Sequence, residues 1–513
     1  MSKLTKLINQ PAQFFRDSQA YRRLVLTFGD KITLNKTASR VAAGSFGDRA
    51  SLFSSFVNDM ARTVPAVDMS YAGVERIAIL NESLHKLSEY VYDVSRRSGF
   101  AIIIRNRDGI VDAKRATLFA IDDALASRTS FELTIRDVTR GLRVTIAFQT
   151  WTREEDQLVG PENHPIARRM DSSTSELNDF FKPGELHSVN RLVDMPLATD
   201  VEFPVDIVYT WVNHLDPGWR KLWTETVGTP PEDQQDDTRG IDRFLNRDEL
   251  KYSLRSVAEY APWVRRVFVV TNCAPPDWVN LANPKLEWVD HNAIIPQEVL
   301  PVFSSHSIES RLQHVPGLAD HFLYFNDDFF LTRPTLASDF FEASGLSKAF
   351  MERYGSVNGP PHEDAPDYLN AARNGRRLIE ETFGRTVTAL HTHAPYALRR
   401  EVLLEMEERF KGPIGATTAQ RFRTIDDIST VSFLYHHYAY LTGKAVYARS
   451  EGLLVKPQTT RYERRLQQVL DGVRVPTSIC LNDGGGSHLF VHWGRHVVEF
   501  LGAYFPQKCA FER

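Results

Sequence analysis

Two adjacent aspartates at the end of an apolar run mark the part of this 513-residue chain best suited to chemistry. In Phe322-Leu-Tyr-Phe-Asn-Asp-Asp-Phe-Phe-Leu331, a buried strand would run straight into Asn326, Asp327 and Asp328. That places two carboxylates and an amide oxygen at the strand's tip. Hard oxygen ligands of this kind suit Mg2+ or Mn2+ bound together with a diphosphate. Asn and Asp also favour plain turns closed by their own side chains. The aromatic residues on both sides favour the metal, because adjacent acids in an apolar setting need compensation.

Basic and histidine-bearing segments supply the other candidates. In His391-Thr-His393-Ala-Pro-Tyr-Ala-Leu-Arg399-Arg400 the buried stripe Leu398, Val402, Met406 and Phe410 predicts a helix, and Pro395 suits its first turn. His393 would then lie near a helix N-terminus, where anions are favoured. Arg399 and Arg400 have no acid three or four residues away, so they face either a bound phosphate or solvent. In Arg243-Phe-Leu-Asn246-Arg-Asp-Glu249, Asn246 and Glu249 read as a capping box for a helix over Leu250–Glu259. That leaves Arg247 and Asp248 as candidates for substrate contact. His306, in Ser304-Ser-His-Ser-Ile-Glu-Ser-Arg311, could donate to a phosphate or take a proton; near a helix start it could equally be a structural hydrogen-bonder. Arg423 and Asp427 precede the aromatic run Phe433–Tyr440. Asn482 and Asp483 open a Gly484–Gly486 loop that has neither the Walker A nor the GxGxxG pattern and reads as a turn.

The elements that must position these residues follow from patterning. Four apolar strand candidates each end in polar residues: Asp206–Val212 before Asn213 and Asp216, Val267–Val270 before Asn272, Leu286–Val289 before Asp290, and Phe322–Phe325 before Asn326. Helices alternate with them, one burying Leu250, Leu254 and Val257, another Ile308, Leu312 and Val315. That alternation predicts a mostly parallel α/β sheet with right-handed crossovers, whose ligands bind beyond the strands' carboxyl ends. Residues 1–150 read as an N-terminal α+β accessory domain, with helical spacing over Val74–Ser95 and strands at Phe100–Ile104, Phe131–Ile135 and Leu142–Phe148. Residues 151–203 read as a polar linker, and 204–513 as the catalytic domain.

Composition narrows the function classes. With 61 basic and 65 acidic residues the net charge is −4, which argues against a nucleic-acid partner. The three cysteines are far apart and form no CxxC pair, which points to a reducing compartment rather than a disulfide framework. No apolar run approaches the ~18–20 residues of a membrane span, and polar residues interrupt any signal-peptide core, so a cytoplasmic protein is expected. Residues 1–40 hold eight basic residues against Asp17 and Asp30. This stretch is a docked helix or a peripheral contact with an anionic membrane surface.

Taken in order, Asp206-Ile-Val-Tyr-Thr-Trp-Val-Asn213 with Asp216-Pro217, the stretch from Arg243 to Asn326-Asp-Asp328, His393–Arg400 with Arg423 and Asp427, and Cys480-Leu-Asn482-Asp483 resemble the four regions of the Stealth family. These are sugar-1-phosphate transferases of bacterial capsule synthesis, related to the catalytic subunit of the lysosomal-targeting N-acetylglucosamine-1-phosphotransferase. The resemblance spans roughly residues 204–513 and leaves residues 1–200 unmatched. It implies a Rossmann-like core and metal-assisted transfer of a hexose 1-phosphate from a nucleotide sugar, such as UDP-N-acetylglucosamine, to a saccharide hydroxyl. A phosphodiester would form in capsule or exopolysaccharide synthesis, at the inner face of the bacterial plasma membrane, with loss of a nucleoside monophosphate. By the same resemblance Asp327, Asp328 and Asp483 would hold Mg2+ or Mn2+. His393 and Arg423 would act on the reacting groups, with His306 the rival base and Asp328 also at the reaction centre. Asn213, Asp216, Asn246, Arg247, Asp248, Asn272, Asn326, Arg399 and Asn482 would contact substrate. The chain departs from many relatives at Asn213–Asp216, where a Gly-Ser/Thr-Asp turn is common, and at Gly484–Gly486. Two alternatives stay open: a metal-dependent nucleotide-sugar glycosyltransferase, and a non-catalytic scaffold that binds nucleotide sugars.

Overall fold

A computed structural model describes residues 48–70, 75–126, 129–162, 168–171, 181–182, 184, 186–188, 197–231, 240, 243–483 and 490–513. The basic segment 1–40 and the Gly484–Gly486 loop lie outside the described residues. Among the described residues no helix is long and apolar enough to cross a membrane.

The N-terminal part is a nine-stranded mixed sheet. Helices Asp48–Ala61, Leu84–Arg96 and Leu118–Ala126 accompany it. Its core includes Phe56, Met60, Val91, Ile104, Leu133 and Phe148. The helix expected over Val74–Ser95 begins only at Leu84. Before it, Arg76–Leu80 is a strand, parallel to Leu142–Glu154 and buried after its first residue. A strand enclosed on both faces shows a continuous apolar run and no period, which is why helical spacing misread it. The polar stretch 151–203 is not simply a linker. Gln157–Val159, Arg169–Asp171 and His187–Ser188 all join the N-terminal sheet, and Phe181 packs with Trp151.

That sheet docks on the C-terminal half through three arginines. Arg143 Nη1 donates to Val469 O at 3.2 Å, Arg136 Nη1 pairs with Asp471 Oδ1 at 2.8 Å, and Arg105 Nη2 donates to Gly472 O at 2.8 Å. Arg143 also lies 3.5 Å over the Tyr504 ring. These partners end the helix Tyr462–Leu470, whose last carbonyls have no partner within the helix and favour cations.

The C-terminal half is built on a five-stranded sheet, in the order Leu286–Asp290, Val267–Thr271, Val205–Thr210, His321–Asn326, Tyr396–Arg399. Numbered by appearance, this is the 3-2-1-4-5 order of a doubly wound Rossmann-like fold. The first four strands are parallel and the last is antiparallel. The order reverses between Val205–Thr210 and His321–Asn326, where Thr210 stands opposite Asn326. In such sheets the ligand crevice opens at that switch point.

Two helical expectations fail here for identifiable reasons. Ile308, Leu312 and Val315 are all buried, but Arg311 leaves helical geometry (φ −120°, ψ 2°) and splits the stretch into Ser305–Glu309 and a single turn, Leu312–His314. Tyr396–Arg399 is a strand, with Tyr396, Ala397 and Leu398 buried against His321–Tyr324, and the helix starts only at Arg400. His393 therefore does not sit at a helix N-terminus. Arg399 stands opposite His321, at the end of the sheet away from Asn326. Its guanidinium pairs with Asp320 at 3.2 Å and with Glu401. Arg400 Nε donates to Gln313 O at 2.8 Å. Arg399 is thus paired at the end of the sheet away from Asn326, and Arg400 follows it there.

Candidate active site

At the switch point the strand His321–Asn326 turns through Asp327 and Asp328 into Phe329–Leu331. That short strand pairs antiparallel with Ser478–Leu481, Phe329 opposite Cys480. The pairing carries Asn482 to Asp328: Asn482 Nδ2 donates to Asp328 Oδ2 at 3.0 Å, and Cys480 Sγ lies 3.4 Å from the same oxygen. Asp328 Oδ1 is buried without a hydrogen-bond partner.

The neighbouring acids crowd this turn. Burial, then the charges of Glu249, Asp328 and Asp483, hold Asp327 well above the ordinary carboxylate range. Burial also raises Asp328, against the pull of Asn482, Cys480 and Lys456. Burial raises Glu249 too, with Arg247 opposing. Arg247 is the strut among these groups: Nη1 lies 2.8 Å from Asp483 Oδ2 and 3.3 Å from Glu249 Oε1. It passes where Gly494 has no side chain, since a Cβ there would lie 2.7 Å from Arg247 Nε.

These residues fit a divalent cation held jointly with substrate. Two adjacent half-buried carboxyls, one with a buried, orphaned oxygen, leave negative charge uncompensated, which a bound cation relieves. Among the described residues no three His, Cys, Asp or Glu side chains come together as a self-sufficient metal cage. Mg2+ ordinarily binds through one or two carboxylates, with substrate phosphates and water completing the shell. Asp483 does not fit the ligand role expected of it. Arg247 occupies Oδ2, and Trp493 Nε1 donates to Oδ1 at 2.5 Å.

The loops after the first two strands approach the same crevice. Asn213 Oδ1 accepts from Leu215 N at 3.1 Å, closing a local turn, and Asn213 N donates to Cys273 Sγ at 3.2 Å. Asp216 caps the helix Pro217–Val227, accepting from Trp219 N at 2.6 Å and from Ala274 N at 3.3 Å. Both of its oxygens are structural, so it is not free for substrate. The expected capping box does not form. Asn246 Oδ1 accepts from Asp248 N at 3.0 Å, Asp248 stands at the helix start with φ +66°, and Glu249 Oε2 accepts from Arg247 N. Asp248 itself pairs with Lys251 at 3.2 Å. Asn272, just past the second strand, has a buried Nδ2 without a partner, and Asn326 ends the fourth strand.

A second polar group lies beside the switch point. His306 Nδ1 stands 3.0 Å from Asp427 Oδ2, and Arg423 Nη2 donates to Ser305 Oγ at 2.7 Å. Asp427 is fixed by Thr424 N at 3.1 Å and Thr424 Oγ1 at 2.8 Å. Burial, then Arg423, pushes the His306 ring down to about 4 despite Asp427. Burial, then Lys456, pushes His393 to about 4 as well, and its Nδ1 is covered and unpartnered. Both rings are therefore neutral near pH 7 and able to take a proton. Patterning did not single out Glu309, which shares a short helix with His306. Burial raises its carboxyl to about 7, and it accepts from Tyr324 OH at 3.3 Å. Tyr324 in turn bonds Thr210 at 2.8 Å, so Glu309 is tied to the switch point itself. An acid three residues after His306 was the signal available. Tyr396 stacks on Tyr324 with ring centroids 5.8 Å apart and lies 5.9 Å from the Phe329 ring, which follows Asp328.

Residues 243–349 match the description "Stealth protein CR2, conserved region 2", and residues 392–440 match "Stealth protein CR3, conserved region 3". Capsular polysaccharide phosphotransferase SacB of Neisseria meningitidis serogroup A is 38% identical over 366 residues, covering 70% of this chain and 66% of SacB. Exopolysaccharide phosphotransferase SCO6023 of Streptomyces coelicolor is 37% identical over 388 residues, covering 73% of this chain and 65% of that one. The chain thus spans just under two thirds of the length of these relatives. Among solved structures, the galactosyltransferase LgtC with donor and acceptor sugar analogs covers 56% of this chain and 95% of its own. Its 12% identity and TM-score of 0.28 are too low to bear on function. On the two matched regions, the chain belongs to the Stealth family, and the relatives it matches are named capsular and exopolysaccharide phosphotransferases.

Proposed function

We propose that this chain transfers a sugar 1-phosphate from a nucleotide sugar to a saccharide hydroxyl in capsule or exopolysaccharide synthesis. The observation that carries the reading is the Asp327–Asp328 turn at the switch point, with Asp328 Oδ1 buried and unpartnered. The acceptor oxygen attacks the phosphorus that bears the sugar, and a new O–P bond forms. The bridging P–O bond to the nucleoside monophosphate breaks, and that monophosphate leaves with the bond's electron pair. Such chemistry depends chiefly on positioning and on neutralising the phosphoryl oxygens.

Asp327 and Asp328 would hold Mg2+ or Mn2+, which when bound supplies charge neutralisation to the diphosphate. Asn482 orients Asp328 through its 3.0 Å hydrogen bond. Asn272 and Asn326 offer amide groups at the strand tips to the donor. Arg423, fixed on Ser305, supplies a second positive charge. Neutral His393 takes the acceptor's proton, a step worth typically about 10²–10⁴-fold. His306 is the rival, and its contact with Asp427 leaves Nε2 as the ring atom for that task. The donor is read as a UDP-sugar.

Incubation of the purified chain with a panel of UDP-sugars, saccharide acceptors and Mg2+ tests the reading. Release of UMP together with a phosphodiester signal in phosphorus NMR supports it. Release of UDP without a diester would show ordinary glycosyl transfer.

A further inference from the structure

The strand Leu453–Val455 runs parallel to Ser478–Leu481, with Val455 opposite Leu481, and Asn482 N donates to Val455 O at 3.0 Å. Lys456, the next residue, therefore stands beside Asn482, the residue that holds Asp328. Just before that strand, a Cβ on Gly452 would lie 3.5 Å from Ala394 Cβ. One short segment thus passes both the metal-type turn and the chain carrying His393. The Lys456 backbone is fixed by Thr459 Oγ1, which accepts from its N–H at 2.9 Å.

The Lys456 side chain is half-buried and has no ion-pair partner among the described residues. Its positive charge nevertheless reaches Asp328, Glu352, Cys480 and His393. An ammonium and a carboxylate that feel each other would ordinarily close to a contact pair. Here they stay apart, and Asp328 Oδ1 is left without a partner too. Two opposite charges held this way suit a bridging pair of ligands, a cation on the carboxylate and an anion on the ammonium. Lysine suits the anionic end because it is a compact charge with rotatable donors, well matched to phosphate oxygens.

We propose that Lys456 is a substrate-contacting residue that binds the pyrophosphate oxygens of the nucleotide-sugar donor, opposite the Asp327–Asp328 turn. The proposal rests on the transfer reading above and names the residue that grips its donor's charged centre.

The test is calorimetric titration of the full chain with inorganic pyrophosphate in Mg2+, for wild type, Lys456→Met and Lys456→Arg. The Met variant is expected to bind at least tenfold more weakly and the Arg variant within threefold of wild type. Thermal stability should change by no more than a degree or two, because the ammonium makes no contact ion pair that would be lost. If Lys456→Met fails to fold, Lys456→Gln takes its place in the same titration. Equal affinity in wild type and the neutral variant overturns the assignment, as does absence of pyrophosphate binding to wild type. The two readings fail separately. A wild type that releases UMP while Lys456→Met binds pyrophosphate normally refutes only the lysine's role. UDP release combined with weakened binding refutes only the transfer chemistry.

Discussion

Replacing Arg247 by methionine removes the one guanidinium that touches both Glu249 and Asp483, at 3.3 Å and 2.8 Å. Methionine fills much of the same space beside Gly494, so the change is mainly electrostatic. The buried Glu249 carboxylate then loses its partner while the half-buried Asp483, held by Trp493 Nε1, still repels it. Removing one member of a buried ion pair costs about 3–5 kcal/mol. The Arg247 side chain keeps 18% exposure, so the low end applies. For a domain of about 310 residues, about 3 kcal/mol corresponds to a fall of roughly 5 °C in Tm.

The sign of the pH dependence follows from Glu249. Its folded-state pKa is already raised, and Arg247 is what holds it down. Without Arg247 it rises further, so the folded state binds more protons than the unfolded one above the ordinary carboxylate range. The variant's deficit must therefore grow as pH rises toward 8 and shrink as pH falls toward about 4. Calorimetric scans of both proteins from pH 5 to 8 measure it. A Tm difference under 2 °C at pH 8, or one that does not change with pH, would refute the strut assignment.

Three further outcomes are expected. Asp328→Asn removes a half-buried, incompletely satisfied charge, so without added metal its Tm should equal or exceed wild type, while any Mg2+-induced rise is lost; a persisting metal shift contradicts this. Glu309→Gln keeps the Tyr324 hydrogen bond but cannot ionise. Because the native carboxyl is raised to about 7, wild type loses stability relative to the variant as pH rises from 5 to 8, by about 2 kcal/mol, and denaturant midpoints at the two pH values read it. Gly494→Ala, in the first turn of the helix Trp493–Tyr504, would ordinarily gain up to about 1 kcal/mol, but its Cβ meets Arg247 Nε at 2.7 Å. No gain in Tm is expected, and transfer activity should fall; a stabilised, fully active variant would show that Arg247 moves freely.

What could be read from the sequence divides along physical lines. Val205–Thr210, Val267–Thr271 and His321–Asn326 are enclosed on both faces, so each appears as a nearly continuous apolar run ending in polar residues, whereas the outer strand Leu286–Asp290 leaves Glu287 and Trp288 half-buried; parallel pairing sets all four carboxyl ends at one end of the sheet. The helix Glu249–Tyr260 was visible from its apolar spacing, whereas its start was not, because Glu249 turns back to Arg247 instead of completing a capping box. Arg399 looked unpaired because its partner Asp320 is brought in by strand pairing, outside any local window. Asp483 looked like a metal ligand because nothing near it in sequence shows that Arg247, 236 residues earlier, occupies it. Lys456 and Glu309 escaped notice for the same reason: their importance comes from what tertiary packing sets beside them.

The most direct test uses a donor nucleotide sugar with oxygen-18 in the anomeric C1–O–P position, turned over by the purified chain with Mg2+ and a saccharide acceptor. Sugar-1-phosphate transfer breaks only the bridge between the two phosphorus atoms, so the label should remain on the sugar, inside the new diester, with unlabelled nucleoside monophosphate released. Label in a released nucleoside diphosphate would mean that the anomeric bond had broken, and would contradict the account.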